Sequence, residues 1–320
     1  MKQLLAVILF FLLSITGCSP GQPREEAAKK PAAISISYVK LPLNVPSIVE
    51  KKLALLEKEF ARDDIDITLP EITEGPKMTA ALAAGSLNFC SALGGTSAIL
   101  AAAGGLDLKI IGIYSRAPKA FAIMTKNPAI QTVADLKGRT VAGPRGTILQ
   151  QLLLASLRQQ GLPAGAVTFI NMSIPQGVTA LLDGKAEAAL VAGPAVPKAI
   201  DAGARILTTG EGLLAATIVI AVDGNFLQAN PAIVQRYMKV HRQSLAYMRE
   251  HPAEVYRMAS EETGIPLADV KAMYDWYDFN PAITESDISD LEKTQDFLLQ
   301  NGLLTQKVAI SQLIRDMSTP

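Results

Sequence analysis

The sequence is poor in the residue types from which metal sites, disulfides and nucleophilic active sites are built. Its 320 residues include two histidines and two cysteines. His241 and His251 lie ten residues apart in one predicted helix, and thus on different faces of it, so they cannot share a metal. Neither a Cys-x-x-Cys pair nor a phosphate-binding loop with lysine occurs. The sequence therefore predicts a protein without a metal site or a cofactor.

A surplus of one charge sign and a membrane-spanning apolar run are also missing. The chain has 30 basic and 30 acidic residues, whereas a nucleic-acid binder carries a basic surplus. The apolar run at residues 4–13 is too short for a helix to cross the roughly 30 Å hydrocarbon core of a bilayer. With 49% hydrophobic residues the chain can bury a core, which excludes a disordered protein. Its length predicts about two domains.

The N-terminus has the order of an export signal. Lys2 precedes the apolar run and small residues follow it, as in a cleaved secretory signal. The run 15–18 (Ile-Thr-Gly-Cys) resembles the bacterial lipobox, which implies cleavage before Cys18, a lipid on its sulfur, and export to the periplasmic or cell-surface side of a membrane. The alternative is an ordinary secretory signal with an incidental cysteine. We therefore predict a signal peptide at residues 1–17 and a lipidated tether at residues 18–33.

From residue 34 onward, short β-branched runs alternate with helical patterns, including one helix predicted over residues 47–62. Strands separated by such helices pair in parallel, so the sequence predicts an α/β fold with doubly wound sheets. The pattern recurs from residue 140, and a stretch that includes Gly85 aligns without a gap with one that includes Gly184. We therefore predict two similar doubly wound lobes joined by two crossing segments. Lobe 1 would comprise residues 34–122 and 217–320, and lobe 2 residues 123–216.

Ligands of open parallel sheets bind beyond the carboxyl ends of the strands, where helix N-termini offer free N–H groups to anions. The sequence places helix starts of both lobes at this edge. Their hydroxyls could contact a ligand or only cap the helices, and both roles stay open. The candidate residues at these helix starts are Gly95, Thr96 and Ser97 in lobe 1 and Gly146, Thr147, Gly193 and Pro194 in lobe 2.

Charged and aromatic residues at the same edge are further candidates for ligand binding. Arg145 lies next to a predicted helix start, where a cation is disfavoured by about 0.3–1 kcal/mol. An anionic ligand would explain it, and a solvated loop arginine is the alternative. Lys40 follows the first strand and has the same two interpretations. Tyr38 could stack on a ligand or pack in the core, and Asn44 completes the set of candidates.

Several motifs resemble one family of transport proteins. They are the run 133–142 (Val-Ala-Asp-Leu-Lys-Gly-Arg-Thr-Val-Ala) with the Gly-Thr pair at 146–147, the run 180–189 and the run 296–303. Together they resemble the ABC-importer solute-binding proteins for sulfonates, nitrate and taurine. The resemblance implies a type II periplasmic binding fold, in which two lobes close on a small polar or anionic solute and deliver it to a membrane permease. We expect a monomer that binds no nucleic acid and is not an enzyme.

Departures from the family pattern leave the solute open. After a strand of lobe 2, the family's usual Glu-Pro pair is Gly193-Pro194 here. The loss of an acidic residue from the site favours an anion or simply enlarges the site. Two functions of other classes remain as alternatives: an α/β enzyme acting on a small metabolite, and a lipoprotein that docks a protein partner in its cleft.

Overall fold

The structure is a computed structural model that describes residues 30–41 and 43–319. Pro31–Pro320 form one compact unit. The predicted signal peptide, the lipidation site Cys18 and most of the predicted tether therefore lie outside the described residues. The lobe boundaries predicted at residues 122 and 216 stay a prediction, because the contacts divide the chain only after Lys30.

The described residues form ten strands and thirteen α-helices. The strands are β1 (Ala33–Ser35), β2 (Asp66–Thr68), β3 (Phe89–Gly94), β4 (Leu108–Arg116), β5 (Phe121–Thr125), β6 (Thr140–Gly143), β7 (Thr168–Asn171), β8 (Ala188–Ala192), β9 (Arg205–Thr209) and β10 (Thr217–Asp223). The helices are α1 (Val45–Lys52), α2 (Leu55–Phe60), α3 (Gly75–Ala83), α4 (Gly95–Ala103), α5 (Ile148–Gln159), α6 (Ile174–Leu182), α7 (Ala195–Asp201), α8 (Gly224–Ala229), α9 (Pro231–Glu250), α10 (Pro252–Thr263), α11 (Leu267–Tyr274), α12 (Glu285–Gln300) and α13 (Ile310–Leu313).

The first sheet contains strands from distant parts of the chain. β10 lies between β3 and β4 and is antiparallel to both. β1 and β2 form a parallel pair, and an isolated parallel bridge from Ile36 to Phe89 connects this pair to β3. The spatial order is therefore β2-β1-β3-β10-β4. We call this sheet, together with α1, α3, α4 and α12, lobe 1.

The second sheet repeats this arrangement, and with α5, α6 and α7 it forms lobe 2. Its order is β7-β6-β8-β5-β9, and β5 is antiparallel to both of its neighbours. In each sheet, one strand comes from a segment of the chain that crosses between the lobes. β5 of lobe 2 directly follows β4 of lobe 1, and β10 of lobe 1 follows β9 of lobe 2. The prediction of an α/β fold with two similar lobes is confirmed, whereas purely parallel pairing is wrong. The crossing strand enters the sheet from the opposite lobe, and it is antiparallel to both of its neighbours.

Helices cover the sheets, and the central strands are buried along almost their whole length. Every residue of β5 and β8 is buried, and so is every residue of β3 and β10 except the last of each. Strands covered on both faces are continuous apolar runs rather than alternating ones, as in β10. The apolar cores of the two lobes therefore lie on both sides of each sheet, and they hold the strand ends in fixed positions.

The single helix predicted over residues 47–62 is wrong. The structure has two helices there, α1 and α2, with a break at Leu53 and Ala54. Ala54 has a left-handed φ of 50°, which turns the chain away from the axis of α1. α2 then packs against α9. The run contains no glycine or proline, so propensity did not signal the break, and tertiary packing decides it instead.

The repeat is most regular where α3 and α6 end. A glycine with positive φ follows each helix, with φ of 69° at Gly85 and 71° at Gly184. In both turns the glycine N–H donates to the carbonyl three residues earlier, and the next N–H donates to the carbonyl five residues earlier. This pattern is a Schellman motif, in which a residue with a side chain would be strained.

Replacing either glycine with alanine should lower the free energy of unfolding by about 1 kcal/mol. The cost arises from the backbone, because a Cβ added to Gly85 or Gly184 would have no neighbour within 4 Å. Urea denaturation of the Gly85→Ala and Gly184→Ala variants measures the two losses, which should be equal within error. A loss at one position alone would show that the two turns are not equivalent.

Candidate functional site

A cavity of about 430 Å³ lies between the two lobes. Helix N-termini from both lobes surround it, since the N-cap residues of α1, α3 and α4 line it from lobe 1 and those of α5, α6 and α7 from lobe 2. Each helix start presents backbone N–H groups and the positive end of the helix dipole. The cavity therefore suits an anionic group. The N-cap residues are Asn44, Glu74, Gly94, Thr147, Ser173 and Pro194.

Two of these helix starts, those of α4 and α5, are adjacent across the lobe boundary. Ser97 Oγ in the first turn of α4 donates to the carbonyl of Gly146, directly before α5, at 2.8 Å. The N-cap of α4 is Gly94, which has no side chain, and the Thr147 hydroxyl of α5 donates to the Pro144 carbonyl at 2.9 Å. The first N–H groups of both helices thus lack side-chain caps among the described residues. An anion in the cavity can accept from them.

Asn44 adds a side-chain amide to the cavity wall. It is buried and lines the cavity, and its Oδ1 has no hydrogen-bond partner among the described residues. Burying an amide without a partner costs free energy, so this residue favours a ligand that completes its hydrogen bonding. Rotation of the amide by 180° exchanges its oxygen and its nitrogen, and the group can then donate to an anion.

Most of the cavity wall is apolar. Of the described lining residues, Glu74 and Lys198 are ionisable. Glu74 Oε1 is paired with Lys77 Nζ at 2.8 Å, whereas Lys198 is exposed. The wall therefore suits a ligand that has an apolar body in addition to a charged group. The apolar lining side chains include Val39, Met78, Phe121, Ile148, Val178 and Ile265.

The structure brings four of the eleven predicted ligand-binding residues to the cavity, namely Asn44, Ser97, Thr147 and Pro194. It also places there residues that the sequence analysis missed. Ser173 starts α6 with a capping box and a proline in the first turn, which together are a sequence signature of a helix start. That signature could have found Ser173, and the offset of the repeat then leads to Glu74. No comparable signal marks Lys198.

Tyr38 and Lys40 have partners outside the cavity. Tyr38 is buried, and its hydroxyl donates to Glu262 Oε1 at 2.9 Å. Burial and this hydrogen bond raise the pKa of Tyr38 above its usual value. Lys40 Nζ lies 3.4 Å from Glu71 Oε2 in a partly exposed ion pair. The structure thus supports packing for Tyr38 and a surface ion pair for Lys40.

Gly95, Thr96, Gly146 and Gly193 lie at helix starts but do not line the cavity. A Cβ added to Gly95 would lie 2.8 Å from Leu291 Cδ2, so this glycine allows α12 to approach α4 closely. Gly146 and Gly193 have positive φ values of 70° and 52°, a backbone conformation that favours glycine. These glycines allow the backbone conformation and the close packing found at the helix starts, and residues next to them line the cavity.

Arg145 lies outside the cavity lining as well. The residue is exposed, and its guanidinium carbon lies 5.3 Å from the centre of the Phe169 ring. Its backbone N–H donates to Asn171 Oδ1 at 2.9 Å. This placement matches the alternative interpretation of a loop arginine that points away from the site.

Cys90 is buried in β3, as expected of a core residue. Burial raises the pKa of its thiol to about 12, so the reactive thiolate is disfavoured. We expect no modification of Cys90 by a thiol reagent in the folded protein and complete modification in denaturant. The chain from residue 19 onward, which lacks Cys18, allows the measurement. Rapid labelling of the folded chain would contradict the expectation.

The described residues provide no alternative site for metal chemistry. His241 is buried with its Nδ1 2.9 Å from Glu50 Oε1, and His251 lies between α9 and α10. Within residues 30–41 and 43–319, no group of three or more His, Cys, Asp or Glu side chains could hold a metal ion. In the same part of the chain, we find no helix whose length and apolarity would let it span a membrane.

Comparisons with known proteins point to one family. A family model described as NMT1/THI5 like matches residues 59–255. A putative aliphatic sulfonates-binding protein from Escherichia coli (strain K12) is 29% identical, over 98% of this chain and 97% of its own. The structure of the alkanesulfonate-binding protein SsuA from Xanthomonas axonopodis pv. citri, bound to MOPS, superposes with a TM-score of 0.82 at 26% identity, over 90% of this chain and all of that one (100%). The periplasmic aliphatic sulphonate binding protein SsuA from Escherichia coli gives a TM-score of 0.75 at 26% identity, over 90% and 93%.

These relatives are described as binding proteins, which confirms the prediction that the chain is not an enzyme. Their structures also confirm the predicted periplasmic binding protein fold. The family model covers more than half of the 320 residues, and the resemblance found in the sequence motifs is thereby confirmed. The chain belongs to the NMT1/THI5-like family.

Proposed function

We propose that the protein is the solute-binding component of an ABC importer and that it binds an aliphatic sulfonate between its two lobes. The observation that carries this proposal is the convergence of helix N-termini from both lobes on one largely apolar cavity. A sulfonate stays anionic throughout the physiological pH range, and its oxygens only accept hydrogen bonds. It therefore suits a site that offers N–H donors. Relatives described as sulfonate-binding proteins support the same ligand class.

The sulfonate group would lie at the N-termini of α4 and α5. Each helix contributes about half a positive charge there, together with N–H groups that have no side-chain cap. Ser97, Thr147 and Asn44 line the same cavity, and so does Pro194, the N-cap of α7. We propose these four as ligand-contacting residues. Because the donors come from both lobes, one sulfonate can bind to both at once.

The alkyl part of the ligand would lie against the apolar wall. Met78 contributes to this wall from lobe 1 and Val178 from lobe 2. Each methylene that is buried contributes about 0.8 kcal/mol, so affinity should rise with chain length until the cavity is filled. A second, positively charged group on the ligand would have to compete with the Lys77 ammonium for the Glu74 carboxylate. The site therefore favours an alkyl chain without a cationic substituent.

Binding would shift the population of lobe arrangements without any bond being made or broken. A ligand that contacts both lobes stabilises the closed arrangement by the free energy of the contacts that exist only there. The membrane permease would recognise the closed form. Small-angle scattering tests this step, since the wild-type protein should become more compact when sulfonate is added. An unchanged profile with saturating sulfonate would instead favour a cleft that docks a protein partner.

The ligand class is tested by isothermal titration calorimetry with ethanesulfonate, butanesulfonate and hexanesulfonate. We expect one site per chain and an affinity that increases severalfold with each added methylene. Hexylamine and hexanol are matched controls that keep the chain but lose the anion, and neither should bind measurably. Equal binding of hexanol would show that the helix N-termini do not contribute, and the proposal would fail.

We further propose that the chain is exported, cleaved before Cys18 and anchored to a membrane through a lipid on that cysteine, and that it acts as a monomer. The sequence motif at residues 15–18 supports export, cleavage and the lipid anchor. Mass spectrometry of the mature protein should show a lipid-modified N-terminal cysteine, and a Cys18→Ser variant should leave the membrane fraction. Wild-type protein that remains soluble, with an unmodified cysteine, would exclude the anchor.

A further inference from the structure

A chain of buried hydrogen bonds crosses from lobe 2 to lobe 1 beside the cavity. Thr96 Oγ1 donates to Gln151 Oε1 at 2.6 Å, and Gln151 Nε2 donates to Thr294 Oγ1 at 3.0 Å. Gln151 is on α5, which packs on β5 and β8, whereas Thr96 and Thr294 are on α4 and α12, which pack on β10. All three side chains are buried. One amide is therefore hydrogen-bonded at both ends across the lobe boundary.

This polar triad, formed by Thr96, Gln151 and Thr294, lies directly behind the helix starts that face the cavity. Thr96 is in the first turn of α4, next to the cavity-lining Ser97. Gln151 is one turn into α5, and Ile148 of the same helix borders both the cavity and the triad. The position of the triad thus decides how the N-terminus of α5 is set against that of α4.

The triad favours one arrangement of the lobes because its members have few other partners. A buried amide or hydroxyl that loses its hydrogen bond destabilises the arrangement that leaves it unpaired. If α5 moves away from α4 and α12, the Gln151 amide loses both of its bonds at once. An apolar side chain of similar size would fill the same volume without this directional requirement, and it would let α5 slide. The hydrogen bonds therefore specify orientation as well as contact.

We propose that Gln151 is a positioning residue that seats α5 of lobe 2 against α4 and α12 of lobe 1, and so aligns the helix N-termini on the two sides of the cavity. Gln151 does not itself line the cavity. It acts through its hydrogen bonds to Thr96 and Thr294. These bonds fix the N–H donors at the start of α5 relative to those at the start of α4. Its effect on affinity rests on the proposed sulfonate function, whereas its effect on lobe orientation does not.

Two measurements on the Gln151→Leu variant test the proposal. The first is the distance between two spin labels at exposed positions, one at Glu57 of α2, which packs on α1 of lobe 1, and one at Lys185 of lobe 2. The labels are attached to cysteines introduced at these positions in a chain from residue 19 onward. The second is the affinity for hexanesulfonate. We expect a broader and longer distance distribution than in the wild type without ligand, and an affinity about 10-fold weaker. Gln300→Ala is the control, because it removes an exposed hydrogen bond between the same two helices, from Arg158 Nη1 (2.6 Å) at the far end of α5. It should leave affinity and distances unchanged.

A double-mutant cycle with Thr96→Val distinguishes the loss of this hydrogen bond from a general destabilisation of the protein. The two substitutions remove the same hydrogen bond, so their effects on affinity should be strongly non-additive. If Gln151→Leu does not fold, Thr294→Val removes one end of the bridge and takes its place. A wild-type distance distribution in the variant, a weaker affinity without a change in distances, or additive effects would each overturn the proposal. A wild type that binds no sulfonate would overturn the proposed function alone, because the ligand-free distances still test Gln151.

Discussion

Replacing Arg116 with alanine should lower the free energy of unfolding by about 3–5 kcal/mol. Arg116 ends β4 and pairs with Thr217 at the start of β10, so it lies where the chain leaves lobe 1 and where it returns. Its Nε and Nη2 donate to the two carboxylate oxygens of Asp287, each at 2.6 Å, and Nη1 donates to Asp278 Oδ2 at 3.0 Å. Asp287 is only 3% exposed, and alanine would leave its charge buried without the cation that neutralises it, with Thr284 as its remaining donor. Urea denaturation at neutral pH measures the loss.

The pH dependence of this loss identifies its cause. Burial alone would raise the pKa of Asp287, but hydrogen bonds from Arg116 and Thr284 hold it below its usual value. A carboxyl whose pKa is lowered by folding adds stability above its unfolded pKa of about 4 and loses it as the pH falls further. The difference between wild type and Arg116→Ala should therefore be full at pH 7 and shrink below about pH 4. A difference that did not change with pH would contradict the ion pair as its source.

A surface ion pair provides the matched control. Arg139 Nη1 lies 2.9 Å from Glu187 Oε1, and the two side chains are 44% and 30% exposed. Exposed pairs of this kind contribute at most about 1 kcal/mol, because water and salt screen them. Arg139→Ala should thus cost far less than Arg116→Ala. Equal losses would mean that burial of Asp287 is not what makes Arg116 important.

Thr147→Asp should weaken sulfonate binding by about 100-fold or more while it stabilises the fold. Thr147 is the N-cap of α5, lines the cavity and makes no side-chain cap bond to the helix. Aspartate is a strong N-cap whose carboxylate accepts from the first N–H groups, so we expect about 0.5–1 kcal/mol of added stability. The same carboxylate would occupy the donors that the ligand needs and repel the anion at close range. Calorimetry and urea denaturation of one preparation measure the two opposite effects.

Two variants separate the causes of that loss. Thr147→Asn is a neutral N-cap of similar size and should weaken binding less than aspartate does. Asn230→Asp adds the same negative charge at the N-cap of α9, which has no side-chain cap and does not line the cavity. It should leave sulfonate affinity unchanged. If Thr147→Asp bound sulfonate as the wild type does, the start of α5 could not be part of the site.

The architecture was largely predictable because it is encoded in local patterns that recur. Glycine spacing placed α3 and α6 at the same offset, and both end in the turn that positive φ at Gly85 and Gly184 requires. The alternation of apolar runs and helical patterns located the strands of both sheets. Periodicity reports which face of an element is buried, however, and not the direction from which a neighbouring strand arrives. The antiparallel insertion of β5 and β10 was therefore not predicted.

The site could be predicted only in part, for a physical reason. Sequence patterns locate helix starts, and four of the predicted residues do line the cavity. Sequence patterns do not reveal which residue, distant along the chain, a polar side chain will contact. Lys40 is paired with Glu71, and Thr96 is bonded to Gln151, 55 residues away in sequence. Such contacts depend on the packing of elements that lie far apart along the chain, and they decide which candidates remain free for a ligand.

The central claim is that helix N-termini from both lobes bind one anion, and backbone amide NMR tests it most directly. On saturation with hexanesulfonate, the amide resonances in the first turns of α4 and α5 should move, including those of Gly95 and Leu149. The amides in the first turn of α9, such as Ile233, should not move. Shifts confined to one lobe, or none at α4 and α5 in a protein that binds the ligand, would contradict the account.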